Sequence, residues 1–281
     1  MKRPYSHFTH CLLPTLALLA ATSLTNACSD DDTTPAPMKP ALPADGGDNV
    51  TRIQHLGHMT STYDWNFTYT DGRLTQANGT VRDPDPAIDQ SFAYTSTLSF
   101  SATGVGISNS SGEEISLQLN AQGYITRMTV NRNIYEFAYS DGRLASWHKT
   151  VFENSFGQVQ QYRSSGLISW QNGDLAQIVM TEPDHSPVTI TCTPSDEYNR
   201  NGLLPPALSK EMGCAGFEHL YYAGLLGRPT LHLVQSVSYT YPQASASDYS
   251  MQFEYSNVGG NTTLCNYHTP EGGVASISYS Y

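Results

Sequence analysis

The sequence predicts an all-β fold: a large antiparallel meander curled into an open or closed barrel, with a short helical insert packed on its concave side. Three observations carry that expectation. The phrase FTYTDGRLTQ (Phe67–Gln76) returns as FAYSDGRLAS (Phe137–Ser146), 70 residues further on. Aromatic and small polar residues alternate through both copies, the pattern of a strand with one buried face. The chain also carries 18 Tyr among 281 residues, set among many Ser, Thr, Asn and Gln, which suits a sheet better than a helical bundle.

Each copy of the phrase reads as strand, turn, strand. Phe67 and Tyr69 alternate with Thr68 and Thr70. Asp71-Gly72 then supplies the positive φ that both central positions of a two-residue hairpin demand. Arg73-Leu74 resumes the alternation, and Phe137, Tyr139, Asp141, Gly142 and Leu144 repeat the scheme. Looser echoes occur in NAQGYI (Asn120–Ile125), WQNGDLAQI (Trp170–Ile178), FEYSNVGG (Phe253–Gly260) and SISYSY (Ser276–Tyr281). Units this thin cannot bury an apolar face alone, so they pack in series. Roughly a dozen strands are expected.

The chain reads as three parts. Residues 1–27 have the form of a signal peptide, with Lys2 and Arg3 ahead of an apolar run, Leu12 to Ala21, that is too short to span a membrane. LTNAC (Leu24–Cys28) resembles the lipobox of bacterial lipoproteins, which implies cleavage before Cys28 and lipidation of that residue. The other reading is a secretory signal with an incidental cysteine. Residues 28–50 are acidic and proline-rich, too poor in apolar side chains to pack, and read as a disordered linker. The acidic run resembles the export signal that sends Bacteroidetes lipoproteins to the cell surface, and Asp32-Thr33-Thr34 resembles the O-glycosylation motif of that phylum at Thr33. A plain solvated charge run fits the same residues. Residues 51–281 form a single β domain, large enough for a sizeable core.

Without Lys2 and Arg3 the chain holds 12 basic against 25 acidic residues. That balance argues against nucleic acid and against an anionic lipid surface as partners.

One segment breaks the β rhythm. Between Leu204 and Gly227, Leu208 and Met212 are four apart, and Phe217, Leu220, Tyr221 and Leu225 follow at helical spacing. Pro206 can open a first helix, and Gly213 and Gly216 interrupt it. The segment is expected to hold the main helical content and to cover itself with the concave sheet face. Apart from Cys11 and Cys28 the cysteines are Cys192, Cys214 and Cys265, an odd number without metal-ligand spacing. A Cys192–Cys214 disulfide pinning the insert to the sheet is one option; three free thiols are another.

Chemistry-bearing residues are few. Asp83, Asp85 and Asp89 carry oxygen ligands, but Pro84 and Pro86 stiffen their loop and a solvated acidic turn is the simpler reading. His55 and His58, and likewise Glu113 and Glu114, fall on opposite faces of a strand. Glu182, Asp184 and His185 read as a loop between prolines. No nucleophile elbow, phosphate loop or HExxH motif occurs, and no cofactor or metal is expected. Trp65, Trp147 and Trp170 stand beside the hairpin phrases, either as ring-stacking aromatics for a ligand or as core.

The repeated phrase, the lipobox with its acidic tail, and YYAGLLGRPTLHLVQSVSYTY (Tyr221–Tyr241) together resemble a family of Bacteroidetes lipoproteins carrying a domain of unknown function with a porin-like fold. The resemblance implies a fold and an outer-membrane location, possible exposure at the cell surface included, and no catalytic residues. The phrase is also similar to the YD repeats of large secreted β-shell proteins. A lipid-facing barrel is disfavoured, because beyond aliphatic positions such as Leu98, Ile115, Leu117 and Leu119 the alternating set is largely Tyr. The function expected is a lipid-anchored, non-catalytic binding module for a glycan or a protein. An envelope hydrolase, whose paired carboxyl groups come from distant strands, and a structural envelope protein stand as alternatives.

Overall fold

The structure is a computed structural model that describes residues 47–57, 62–82, 91–101, 104–155, 158–242 and 247–281. Cys28, Thr33, His58, Asp83, Asp85 and Asp89 lie outside the described residues.

The described chain forms sixteen strands, more than the dozen expected. They are β1 (Arg52–Gly57), β2 (Thr62–Thr70), β3 (Arg73–Arg82), β4 (Ser91–Ser101), β5 (Gly104–Asn109), β6 (Ile115–Leu119), β7 (Ile125–Val130) and β8 (Asn133–Ser140), followed by β9 (Arg143–Ser155), β10 (Gln158–Gln171), β11 (Asp174–Thr181), β12 (Val188–Tyr198), β13 (His232–Thr240), β14 (Tyr249–Val258), β15 (Asn261–His268) and β16 (Val274–Ser280). All pairings are antiparallel between chain neighbours, and β1 pairs with β16, so the two ends of the meander meet. Strands β5 and β6 end the sheet order without pairing, which leaves the barrel open at one seam.

The repeated phrase explains how the barrel is built. Asp71 and Gly72 have φ of 51° and 73°, and Asp141 and Gly142 have 51° and 74°, so both turns are the two-residue hairpins the sequence predicts. Asn172-Gly173 makes a third. Three residues past the turn glycine, one extra residue bulges from the returning strand: Thr75, Ala145 and Ala176. Thr126 and Thr263 do the same in the β6–β7 and β14–β15 hairpins. Bulges sharpen the local twist, and five at one level flare this end of the barrel.

The flare costs ladder hydrogen bonds, and the aromatic that precedes each turn restores one. The ladder from β7 to β8 ends at Arg127↔Glu136. Two residues beyond it, the Ile125 carbonyl accepts the Tyr139 hydroxyl at 2.7 Å. The ladder from β9 to β10 ends at Ser146↔Leu167, and the Leu144 carbonyl accepts Trp170 Nε1 at 2.7 Å. Tyr69 to Val50 and Tyr255 to Val234 repeat the arrangement at 3.0 and 2.7 Å, and Tyr281, which follows β16 and precedes no turn, bonds the Thr262 carbonyl at 2.6 Å. The phrase recurs because the β2–β3 and β8–β9 hairpins use the same turn, bulge and aromatic cap; β6–β7 shares the bulge but carries Leu119 in place of the aromatic.

Between β12 and β13 the chain enters the barrel at this flared end and fills it with residues 199–231. Leu203, Leu204, Leu208, Met212, Leu220, Leu225 and Leu226 are buried there against inward-facing Ile53, Leu74, Leu144, Ile178 and Ile277. Packing on the concave face is as expected. The helical content is smaller: Glu218–Tyr222 is the single described helix (α1). Leu208 and Met212 close one helical turn, with Met212 N donating to the Leu208 carbonyl at 2.8 Å. Gly213 and Gly216 then take φ of 70° and 79° and stop it. The plug also bonds to the wall through its backbone, as in Ile125 N to Leu225 O at 2.8 Å and Arg228 N to Gly142 O at 2.7 Å.

Outward positions are mostly polar, with Leu56, Val159, Leu167, Val258 and Val274 as exposed apolar exceptions. Arg52, Gln54 and Asp64 form a network on the outer wall, and Ser238 bonds Ser250 across β13 and β14. Leu98, one of the aliphatic residues that a lipid-facing band would need, is buried. The large apolar residues are concentrated inside the barrel, whereas a lipid-embedded barrel carries its apolar band on the outer face.

Candidate functional site

The three tryptophans are structural in position. Trp65 is fully buried, its Nε1 donating to Glu218 Oε2 at 3.1 Å. Trp147 is buried between wall and plug, its Nε1 donating to the Glu211 carbonyl at 2.7 Å. Glycine is required beside both rings, since a Cβ on Gly79 would come within 2.2 Å of Trp65 and one on Gly166 within 2.2 Å of Trp147. Neither ring offers a face to a ligand, which corrects the surface-stacking reading for these two. Trp170 is half-buried, serves as a hairpin cap, and lies under the Arg143 guanidinium at 5.7 Å.

The cysteine option is also corrected. Cys192, Cys214 and Cys265 are free thiols. All are buried, and burial pushes the Cys192 and Cys265 thiols up to about 12, which leaves them protonated and unreactive. Cys192 lies on the barrel wall and Cys214 in the plug, where burial again dominates its upward shift.

His55 is buried with Nε2 2.7 Å from the Tyr267 hydroxyl, and burial drives it down to about 4. Glu113 is bound within its own turn by Asn109. Glu182, Asp184 and His185 do form the β11–β12 turn, with Asp184 at φ 59°. Among the described residues no three His, Cys, Asp or Glu converge as a metal site.

The site that emerges was not legible as a motif. At the end of the barrel opposite the flare, the β11–β12 turn, the facing ends of β13 and β14, and the tip of the plug surround a recess of about 220 Å³. Its wall is a tyrosine ladder. Tyr239 and Tyr249 are direct cross-strand partners and stack with centroids 4.5 Å apart and planes 17° apart. Tyr241 lies 6.3 Å from Tyr249. Tyr239 is buried, whereas Tyr241 and Tyr249 are half-exposed.

Two acids, Glu182 and Glu211, and two bases, Lys210 and His185, complete it, with His185 Nδ1 2.6 Å from the Pro183 carbonyl. Lys210 Nζ pairs with Glu182 Oε1 at 2.6 Å on the rim. Glu211, the next residue in the plug, is 8% exposed and forms the floor. Its Oε1 accepts the Tyr239 hydroxyl at 2.9 Å, and its Oε2 has no hydrogen-bond partner. Burial pushes this carboxyl above the ordinary range, against the Tyr239 bond and the nearby Lys210, which pull it down. A second buried acid, Glu218, sits deeper in the plug with both oxygens occupied, by Trp65 Nε1 and by the Gly216 amide at 3.0 Å. The recess therefore offers aromatic faces, donors and acceptors within one small volume, the combination that small-ligand sites share.

Residues 85–259 match the family model described as a domain of unknown function (DUF4595) with porin-like fold. Among solved structures, a porin-like protein from Bacteroides uniformis ATCC 8492 superposes with a TM-score of 0.62 at 17% identity, covering 82% of this chain and 97% of that one. A porin-like protein from Bacteroides vulgatus ATCC 8482 gives 0.46 at 12% identity, over 84% of this chain and 99% of the other. No curated protein matches the chain. The first of these likenesses is one of fold, and it agrees with the near-closed sixteen-stranded barrel described above. The family match spans more than half of the sequence and takes in the plug, the β11–β12 turn and the tyrosine ladder, so the chain belongs to the family of the domain of unknown function (DUF4595) with porin-like fold.

Proposed function

We propose that this protein is a lipid-anchored cell-envelope protein, tethered through Cys28, that acts by binding a ligand at the tyrosine-walled recess rather than by conducting solutes. The observation that carries the reading is the recess itself, where half-exposed Tyr241 and Tyr249 stand over a carboxyl group with an unsatisfied oxygen. The plug supports it from the other side, because a barrel interior packed with Leu208, Met212 and Leu220 has no room for a water-filled channel. The linker of about 20 residues, extended at roughly 3.3–3.6 Å each, gives such a module reach away from a membrane. The test is a screen of the full-length chain against glycan and protein arrays, with Tyr249→Ala as the control. Binding that is lost in Tyr249→Ala supports the reading, and binding that is indifferent to it places the site elsewhere.

A second reading, hydrolysis, is favoured by one observation. Glu182 and Glu211 line the same recess, one ion-paired with Lys210 and the other held above the ordinary carboxyl range by burial. A pair of carboxyl groups facing one space is what glycoside hydrolysis uses for its acid and its base or nucleophile. Release of new reducing ends from a bound polysaccharide, abolished by Glu211→Gln and by Glu182→Gln, would move the protein into that class.

A further inference from the structure

We propose that the recess binds a single pyranose ring, seated against Tyr241 and Tyr249 with a ring hydroxyl donating to Glu211 Oε2. This rests on the binding reading above and names the ligand class for that site.

The chemistry of the walls narrows the ligand. Tyrosine faces attract flat apolar C–H surfaces and cations alike. A cation is disfavoured because Lys210 and His185 already line the recess. An anion is disfavoured because two carboxyl groups face the same space. A wholly apolar ligand would leave Glu211 Oε2 buried without a donor, as it is now, and would cover the Lys210 ammonium as well. What remains is a neutral molecule with an apolar face and several hydroxyls around its edge, each able to donate and accept. A pyranose has that form.

Size and preorganisation agree. About 220 Å³ is small beside the roughly 300–1,000 Å³ of sites that enclose drug-sized ligands, so one ring fits where a chain does not. The acceptor at the floor is held before any ligand arrives. Tyr239 fixes Glu211 Oε1 at 2.9 Å, Tyr239 is itself fixed by its stack on Tyr249, and the other oxygen is buried without a partner. At the rim, the Lys210 side chain is 60% exposed in its pair with Glu182. An exposed pair of this kind is weak, so both groups are free to turn toward ring hydroxyls.

The experiment titrates the full-length protein with methyl α- and β-pyranosides of glucose, galactose, mannose, N-acetylglucosamine and glucuronic acid, and with oligosaccharides of the same sugars, by calorimetry. A parallel protein array separates failure of this inference from failure of the broader reading. At least one neutral pyranoside is expected to bind saturably, at millimolar Kd or tighter. Tyr249→Ala and Tyr241→Ala should each weaken it at least tenfold, Tyr249→Phe less than threefold, and Glu211→Ala at least tenfold. Tyr241→Ala removes a half-exposed ring and so serves where Tyr249→Ala fails to fold. A preference for oligosaccharide that the same variants abolish assigns the ring to a chain terminus; equal affinity for the methyl glycoside assigns it to a free sugar; both support the proposal. Sugar binding unaffected by either tyrosine variant overturns the site. Protein binding with no sugar binding overturns the ligand class and leaves the broader reading standing, and binding of neither overturns both.

Discussion

Replacing Tyr139 by Phe isolates the device that the repeated phrase encodes. The substitution deletes one hydroxyl and keeps the ring, with its contact on Tyr124 at 5.0 Å. That hydroxyl donates to the Ile125 carbonyl at 2.7 Å and lies 3.5 Å from the Leu225 carbonyl of the plug. Ile125 lies beyond the last β7–β8 ladder pair, Arg127↔Glu136, so no strand amide replaces the lost donor. A net hydrogen bond contributes about 0.5–1.5 kcal/mol, and a buried polar group left unpaired costs about 1–3 kcal/mol. Tyr139 is half-buried, and desolvation pushes its phenol well above the ordinary range, so a loss of about 2 kcal/mol is expected. For a domain of this size that corresponds to a fall in Tm of about 4–8 °C. Thermal and urea unfolding followed by circular dichroism measure it. Tyr162→Phe, which removes an exposed hydroxyl bonded to Gln160, is the control and should shift Tm little. If the two variants unfold together, the hydroxyl caps are ornaments of the hairpins, and the explanation given for the repeat is wrong.

Other consequences follow from the buried interior. Gly166→Ala places a Cβ 2.2 Å from the Trp147 indole, which Gly213 of the plug also abuts, so overpacking should cost about 1–3 kcal/mol in urea titration, largely recovered in the Trp147→Leu background. His55 and His219 are driven by burial to about 4 and about 3, below the unfolded value of 6.5. The unfolded chain therefore binds protons that the folded chain refuses, and their contribution is intact above about pH 6.5 and lost on acidification toward pH 3–4, by about 3 kcal/mol for His55 alone. A histidine contribution that rises with acidification in unfolding titrations of wild type against His55→Gln would contradict this. Glu211 has the opposite sign: its raised carboxyl favours the fold at low pH and loses that advantage as pH rises past 4.5, so Glu211→Gln should gain on wild type as pH rises above 4.5. Cys192, Cys214 and Cys265 should resist maleimide in the native protein and all label in denaturant, as peptide mapping reports; a protected Cys192–Cys214 pair in denaturant would restore the disulfide.

Much of the barrel was written locally. A hairpin needs only its own turn and alternation, so FTYTDGRL and FAYSDGRL identified their turns and their buried aromatics without help from the rest of the chain. Three of the four looser echoes proved to be further hairpins, with the same bulge at Thr126, Ala176 and Thr263, and the fourth, SISYSY, is strand β16. What the sequence could not disclose was everything that depends on distant partners. The β1–β16 pairing joins residues more than 200 apart, and the seam between β5 and β6 exists because two chain neighbours fail to pair. The insert was recognisable as apolar but not as nearly helix-free, since its backbone bonds close a series of separate turns that Gly213, Gly216, Gly224 and Gly227, all at positive φ, keep from joining into a helix.

The recess was hidden for the same reason. Its residues come from the β11–β12 turn, the plug tip and the β13–β14 pair, three stretches with no shared motif. Glu211 in SKEMG looks like one charge of an exposed helix face, and only enclosure by Tyr239 and Met180 turns it into a buried acid. Trp65 and Trp147 drew attention for their size, yet large rings beside a hairpin are what a filled barrel uses first. A usable signal did exist in YTY (Tyr239–Tyr241) followed by Tyr249, because alternation places Tyr239 and Tyr241 on one face and a short loop brings the third ring opposite.

The central claim is that the ligand meets this protein at the tyrosine ladder. Ring-¹³C tyrosine labelling gives the most direct test, since the full-length chain has 18 Tyr and each described one sits in a distinct environment. Spectra are recorded while soluble oligosaccharides released from bacterial envelope polysaccharide are added, with resonances assigned by single Tyr→Phe variants. The account predicts that Tyr241 and Tyr249 shift first and furthest, with Tyr239 following through its bond to Glu211, while Tyr69, Tyr139 and Tyr255 at the flared end stay fixed. Shifts confined to the flared end or to the outer wall, with the ladder unmoved, would contradict it.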